Sequence, residues 1–166
     1  MASERPGTTD MAAKKMAIIA TKGALDMAYP PLILASTAAA LGWEVQIFFT
    51  FYGLQLLRKD LSGIAISPLA NPAMPMPVPM PVIVSVLPGM EAMATMMMKD
   101  KMKKKGVASL EELRSLCLEA DVKFIACQMT VDLFEFQTSE FIDGIEYGGA
   151  ATFMKFAGET DVCLFI

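Results

Sequence analysis

The chain has 166 residues, 54% of them hydrophobic, with a formal net charge of −4 and a pI of about 4.8. That length suits one domain, and the apolar content supports a sizeable core and excludes a disordered chain. Residues 1–98 carry six acidic and six basic side chains, residues 99–105 five Lys and one Asp, and residues 106–166 eleven acidic against three basic. The acidic second half excludes a nucleic-acid surface, which needs a broad basic face. Histidine is absent, which removes every mechanism with an imidazole base and the usual His-containing zinc sites. Three cysteines, Cys117, Cys127 and Cys163, are widely spaced with no C-x-x-C and read as reduced cytosolic thiols.

Residues 1–13, beginning "MASERPGTTD", read as a loose polar tail. "MAIIAT" (16–21) reads as a buried strand, and the apolar run before Lys22 is too short for a signal peptide. "TKGALD" follows where a phosphate loop could lie, but it lacks G-x-G-x-x-G. "MAYPPLILASTAAALG" predicts a helix closed by Gly42, with Pro30 and Pro31 expected near its first turn. "WEVQIFFTF" (43–51) predicts a strand, and "YGLQLLRKD" a short helix.

The stretch 61–98 holds seven prolines, eight methionines and a single charge, Glu91. "PAMPMPVPMP" cannot be helical and should be extended. It reads as an apolar insertion that packs against neighbouring subunits or an anionic membrane surface. Its Met spacing also suits copper(I) thioether ligation, which carries less weight here. "VIVSVL" (82–87) reads as a third strand. "PGMEAMATMMMKDKMKKKG" (88–106) predicts a helix whose lysines suit its C-terminal end.

"SLEELRSLCLEA" (109–120) opens with a capping box, Ser109 to Glu112. "VKFIAC" (122–127) predicts the next strand, "TVDLFEF" a helix start, "YGGAATFMKFAG" (147–158) the last helix and "DVCLFI" (161–166) the last strand. Continuous apolar strands alternating with helices point to a parallel sheet covered on both faces. The fold class expected is α/β: a flavodoxin-like, doubly wound, mainly parallel sheet of four or five strands. One domain should span 14–166.

Cys117, among leucines on a helix, and Cys163, inside an apolar strand, read as small core residues. Cys127 differs in position. It ends a strand and precedes a helix, at the sheet edge where ligands gather. A helix N-terminus there favours a thiolate. On these grounds Cys127 is a reactive thiol or an inert one, evenly weighed, and should be partly exposed. No intrachain partner is in reach: Cys117 should lie about 13 Å away along the axis, beyond the ~7 Å limit for a disulfide. A lone thiolate with no imidazole suits attack on sulfur, which needs a nucleophile, a leaving group and access.

"KMAIIATKGALDMAYPPLILASTAAALGWEVQIFFTFYGLQLL", "KMKKKGVASLEELRSLCLEADVKFIACQMTVDLF" and "DGIEYGGAATFMKFA" resemble the DsrE/DsrF-like sulfur-carrier family, in its second DsrE subfamily. Members are often labelled "peroxiredoxin family protein", yet the P-x-x-x-T-x-x-C motif of true peroxiredoxins is absent. The resemblance covers about residues 14–166 and is most specific at "IACQMTVD". It implies a persulfide-bearing cysteine at Cys127, homo-oligomers, and sulfur relay with TusA-like or rhodanese-like proteins. No cofactor or resident metal is implied. The leading expectation is a cytoplasmic, sulfurtransferase-like carrier that holds sulfane sulfur on Cys127 as a persulfide or thiosulfonate. The alternative is a non-catalytic oligomeric or membrane-associated adaptor using the Pro/Met-rich segment. Cys127 exposed in a cleft would favour the first, and full burial the second.

Overall fold

Five apolar runs, each too short for a helix of the core, assemble side by side. In the computed structural model, which describes residues 13–67 and 89–166, they form one sheet. The strands are β1 (Lys15–Ala20), β2 (Glu44–Phe49), β3 (Lys123–Cys127), β4 (Ile145–Gly148) and β5 (Val162–Phe165). Their order is β4-β3-β2-β1-β5, and every pairing is parallel. The fold is thus α/β, with β2 at the centre of the sheet between the buried β1 and β3, as the continuous apolar runs implied.

The connections explain which face each helix takes. The helices are α1 (Leu25–Ala40), α2 (Met90–Lys104), α3 (Leu110–Glu119), α4 (Gln128–Leu133) and α5 (Ala150–Ala157). Strands β1 to β4 step in one direction across the sheet. Right-handed crossovers then place α1 and α3 on one face. There Leu32, Ala35, Leu113 and Cys117 pack with Ile18, Ile47, Phe49 and Phe124. The return from β4 to β5 runs the other way, so α5 must cover the opposite face. Its Phe153 and Phe156 pack with Ala17, Phe48, Ile125 and Cys127, and Phe48 stacks on Phe153 at 5.0 Å. Each fully buried side chain of this size contributes about 1.5–3 kcal/mol.

Several expectations shift. The fifth strand is β4, inside a region that the sequence pattern left between helices; the last helix begins at Ala150, not at Tyr147. The run 82–87 and most of the Pro/Met-rich stretch lie outside the described residues. Pro30 and Pro31 sit in the second turn of α1, because the helix already starts at Leu25. There its first N–H donates to Ala65 O at 2.7 Å. The short helix after β2 is a 3-10 turn, Phe51–Leu57. Among the described residues, no helix is long and apolar enough to cross a membrane.

Candidate functional site

Parallel register brings the carboxyl ends of β2, β3 and β4 level. Phe49 pairs with Ala126 and Cys127 with Gly148. The residues that follow β2 and close β3, Thr50 and Cys127, therefore emerge as neighbours. Cys127 is also the residue from which α4 starts, with extended backbone at φ −66, ψ 109. Thr130 is the third residue of that helix, so its N–H points back toward the Cys127 side chain.

Thr130 is fully buried, 0% exposed. Its Oγ1 lies 3.1 Å from Thr50 Oγ1 and accepts from the Phe51 N–H at 3.4 Å. Phe51 adopts φ 47, a left-handed conformation that is strained for a bulky aromatic residue. The turn is held tightly on its other side. A Cβ on Gly53 would overlap the carbonyl oxygen of Ala20, so only glycine fits there.

As a neutral thiol, Cys127 makes no capping hydrogen bond. Ionised, it is better placed. Burial pushes its pKa up, but the hydroxyls of Thr130 and Thr50 and the N–H groups of Thr130 and Met129 outweigh burial. The net result is a pKa below the ordinary thiol value. A lowered pKa favours the thiolate, which is the nucleophilic form of a cysteine.

The other thiols divide. Cys117 is 0% exposed, donates to Leu32 O at 3.4 Å, and is pushed up to about 11 by burial. It is the core residue its leucine neighbours implied. Cys163 is not: it is exposed. It pairs with Ala17 on the face that α5 covers, but α5 lies over β1 and β4, and β5 is the edge strand beyond. Cys127 also departs from expectation. It is only 5% exposed, not partly open. None of the three is in a disulfide.

Around Cys127 the segments leaving the sheet expose apolar side chains: Phe51, Tyr52, Met129 and Leu133. Tyr52 stacks on Phe134 at 6.0 Å. A cleft of about 410 Å³ between α1, α2 and α3, lined by Tyr29, Lys99, Met102 and Glu111 among others, does not include Cys127.

Sequence reasoning missed Thr50 and Thr130. A signal was available for Thr50: it directly follows the central strand, as Cys127 ends the neighbouring one.

The sequence matches the DsrE/DsrF/DrsH-like family over residues 12–165. The chain belongs to that family. It is 67% identical over 160 residues to the sulfur carrier protein DsrE2 of Allochromatium vinosum, a match covering 94% of this chain and 100% of that protein. It is 34% identical over 157 residues to YrkE, an uncharacterized protein of Bacillus subtilis strain 168, covering 92% of this chain and 97% of that one. The crystal structure of the ychN protein from E. coli superimposes with a TM-score of 0.52 at 12% identity, covering 92% of this chain and 99% of that chain. That likeness supports the fold alone.

Proposed function

We propose that this protein is a sulfur carrier that holds sulfane sulfur on Cys127 and passes it to a partner thiol. The observation that carries the reading is the lowered pKa of a thiol at the carboxyl edge, in a chain 67% identical to a named sulfur carrier. The Cys127 thiolate attacks the outer sulfur of a persulfide or polysulfide donor. A new S–S bond forms, the donor's S–S bond breaks, and the donor leaves as a thiolate. An acceptor thiolate then attacks the outer sulfur on Cys127, takes it as a persulfide, and releases the Cys127 thiolate. Each step is an exchange with no net oxidation. With tetrathionate the thiolate attacks an inner sulfur, the central S–S bond breaks, thiosulfate leaves, and Cys127 carries a sulfonate-capped sulfur instead.

The acceptor is a protein thiol of the TusA-like or rhodanese-like kind, and the working form is a cytoplasmic homo-oligomer. The exposed apolar residues beside Cys127 suit a protein contact. A second reading, a non-catalytic adaptor, draws on the near-complete burial of Cys127. Intact-mass measurement after incubation with polysulfide separates the two. One reducible adduct of about 32 Da per added sulfur is expected. It should vanish in Cys127→Ser and persist in Cys163→Ser. Loading that survives Cys127→Ser removes the assignment.

A further inference from the structure

Two hydroxyl groups meet at the strand-to-helix junction that carries Cys127, and the carrier reading does not by itself require them. Thr50 comes from the end of β2 and Thr130 from α4, 80 residues apart in the chain, yet their oxygens are 3.1 Å apart. Thr130 is fully buried, and burying a hydroxyl is costly unless it is bonded.

The protons can be counted. The Phe51 N–H donates to Thr130 Oγ1, and a backbone N–H can only donate. One hydroxyl proton spans the Thr50–Thr130 pair. The second hydroxyl proton is left over. Among the described residues, no other protein oxygen accepts from either hydroxyl. Solvent reaches only the half-buried Thr50; the sulfur of Cys127 is the remaining protein acceptor, and an anionic sulfur accepts far better than a neutral thiol.

We propose that Thr50 and Thr130 are positioning residues that hold the Cys127 sulfur as an anion, through a hydrogen-bond chain running Phe51 N–H, hydroxyl pair, sulfur. This deepens the carrier reading and rests on it for its biological meaning. In the bare thiolate the charge sits on the Cys127 sulfur, where the pair holds it; in a persulfide it moves to the outer sulfur, so the pair serves the unloaded form. Neither residue takes part in bond exchange.

The test is the pH dependence of iodoacetamide alkylation at Cys127, read peptide by peptide in the full chain so that Cys163 is counted apart. Thr50→Val and Thr130→Val remove one hydroxyl each at nearly constant shape. Each is expected to raise the midpoint by about one unit, since a hydrogen bond to a charged group is worth about a factor of ten or more. Thr50→Ser and Thr130→Ser should restore the midpoint, which a merely structural role would not predict. Should Thr130→Val fail to fold, Thr50→Val alone decides, because Thr50 is only half-buried. An unmoved midpoint in folded Thr50→Val overturns the proposal. Failure of the carrier reading looks different: no sulfur adduct on the unaltered protein, while the midpoint still follows the threonines.

Discussion

Cys117 and Cys127 are both buried, yet their surroundings push them in opposite directions. Cys117 has desolvation and little to offset it, so it stays protonated to about 11. In the unfolded chain it ionises near its ordinary value of 9.0. Between those values the folded state binds more protons, so stability falls as pH rises. The loss should approach roughly 2–3 kcal/mol by the upper value. Urea unfolding across that range checks it: Cys117→Ala should lack this part of the slope, though it is less stable at every pH. Phe51 is the second residue-scale case. At φ 47 a side chain with Cβ costs roughly 1–2 kcal/mol. Phe51→Gly should therefore be more stable than Phe51→Val by about that amount, the reverse of the order at an extended position. Thermal unfolding of the two variants reads it directly, and Val at least as stable as Gly would deny the strain.

At the scale of elements, the 3-10 turn that carries Phe51 is fixed at its far end by a buried cation. Arg114 of α3 is buried, and its Nη1 donates to Leu56 O at 3.0 Å and Arg58 O at 2.7 Å. Burial holds its pKa below the usual arginine value, but not enough to discharge it at neutral pH. Arg114→Met should cost about 2–3 kcal/mol, from two charge-assisted bonds lost and two carbonyls left without donors. Denaturant midpoints check this, and a loss under about 0.5 kcal/mol would mean water replaces the arginine. Ser109→Ala should cost about 1 kcal/mol, since the capping box forms as its spacing implied.

Such local signals were legible. So were β1, β2, β3 and β5, whose apolar runs match the observed strands to within about two residues. β4 was not. "IEYG" is four residues at a sheet edge, only half-buried, and its Gly148-Gly149 reads as a turn. Cys163 was misread for a related reason. An edge position and the reach of α5 are facts of assembly, which one strand's own residues do not encode. The position of Cys127 at a strand-to-helix junction was legible because such a junction is local; its near-complete burial was not. The Thr50–Thr130 contact spans 80 residues and needs the register of β2 on β3.

Across the whole molecule, charge and exposed apolar surface coincide at α2. Only Thr95 of that helix is buried, and its Oγ1 accepts from the Ile66 N–H at 3.1 Å. Met90, Met98 and Met102 pack partly against the core. Met93, Met96 and Met97 remain exposed, and at helical spacing Lys101 and Lys104 continue their stripe. Lys101, Lys103 and Lys104 also occupy the last turn, where they complement the helix dipole. That local role is worth only tenths of a kcal/mol at exposed sites and leaves the methionines unexplained. An anionic bilayer would take both features, with thioether side chains at the boundary and roughly 1 kcal/mol from each lysine near the surface. We therefore expect the protein to sediment with vesicles containing anionic lipid at low salt and less at high salt. Exposed charges are screened over ~8 Å at physiological ionic strength. Neutral vesicles should retain little. Lys101→Glu combined with Lys103→Glu and Lys104→Glu should abolish retention while leaving sulfur loading at Cys127 intact, because that site lies on another part of the fold. Equal retention of the triple variant, or none by the unaltered protein, would confine these lysines to the helix end.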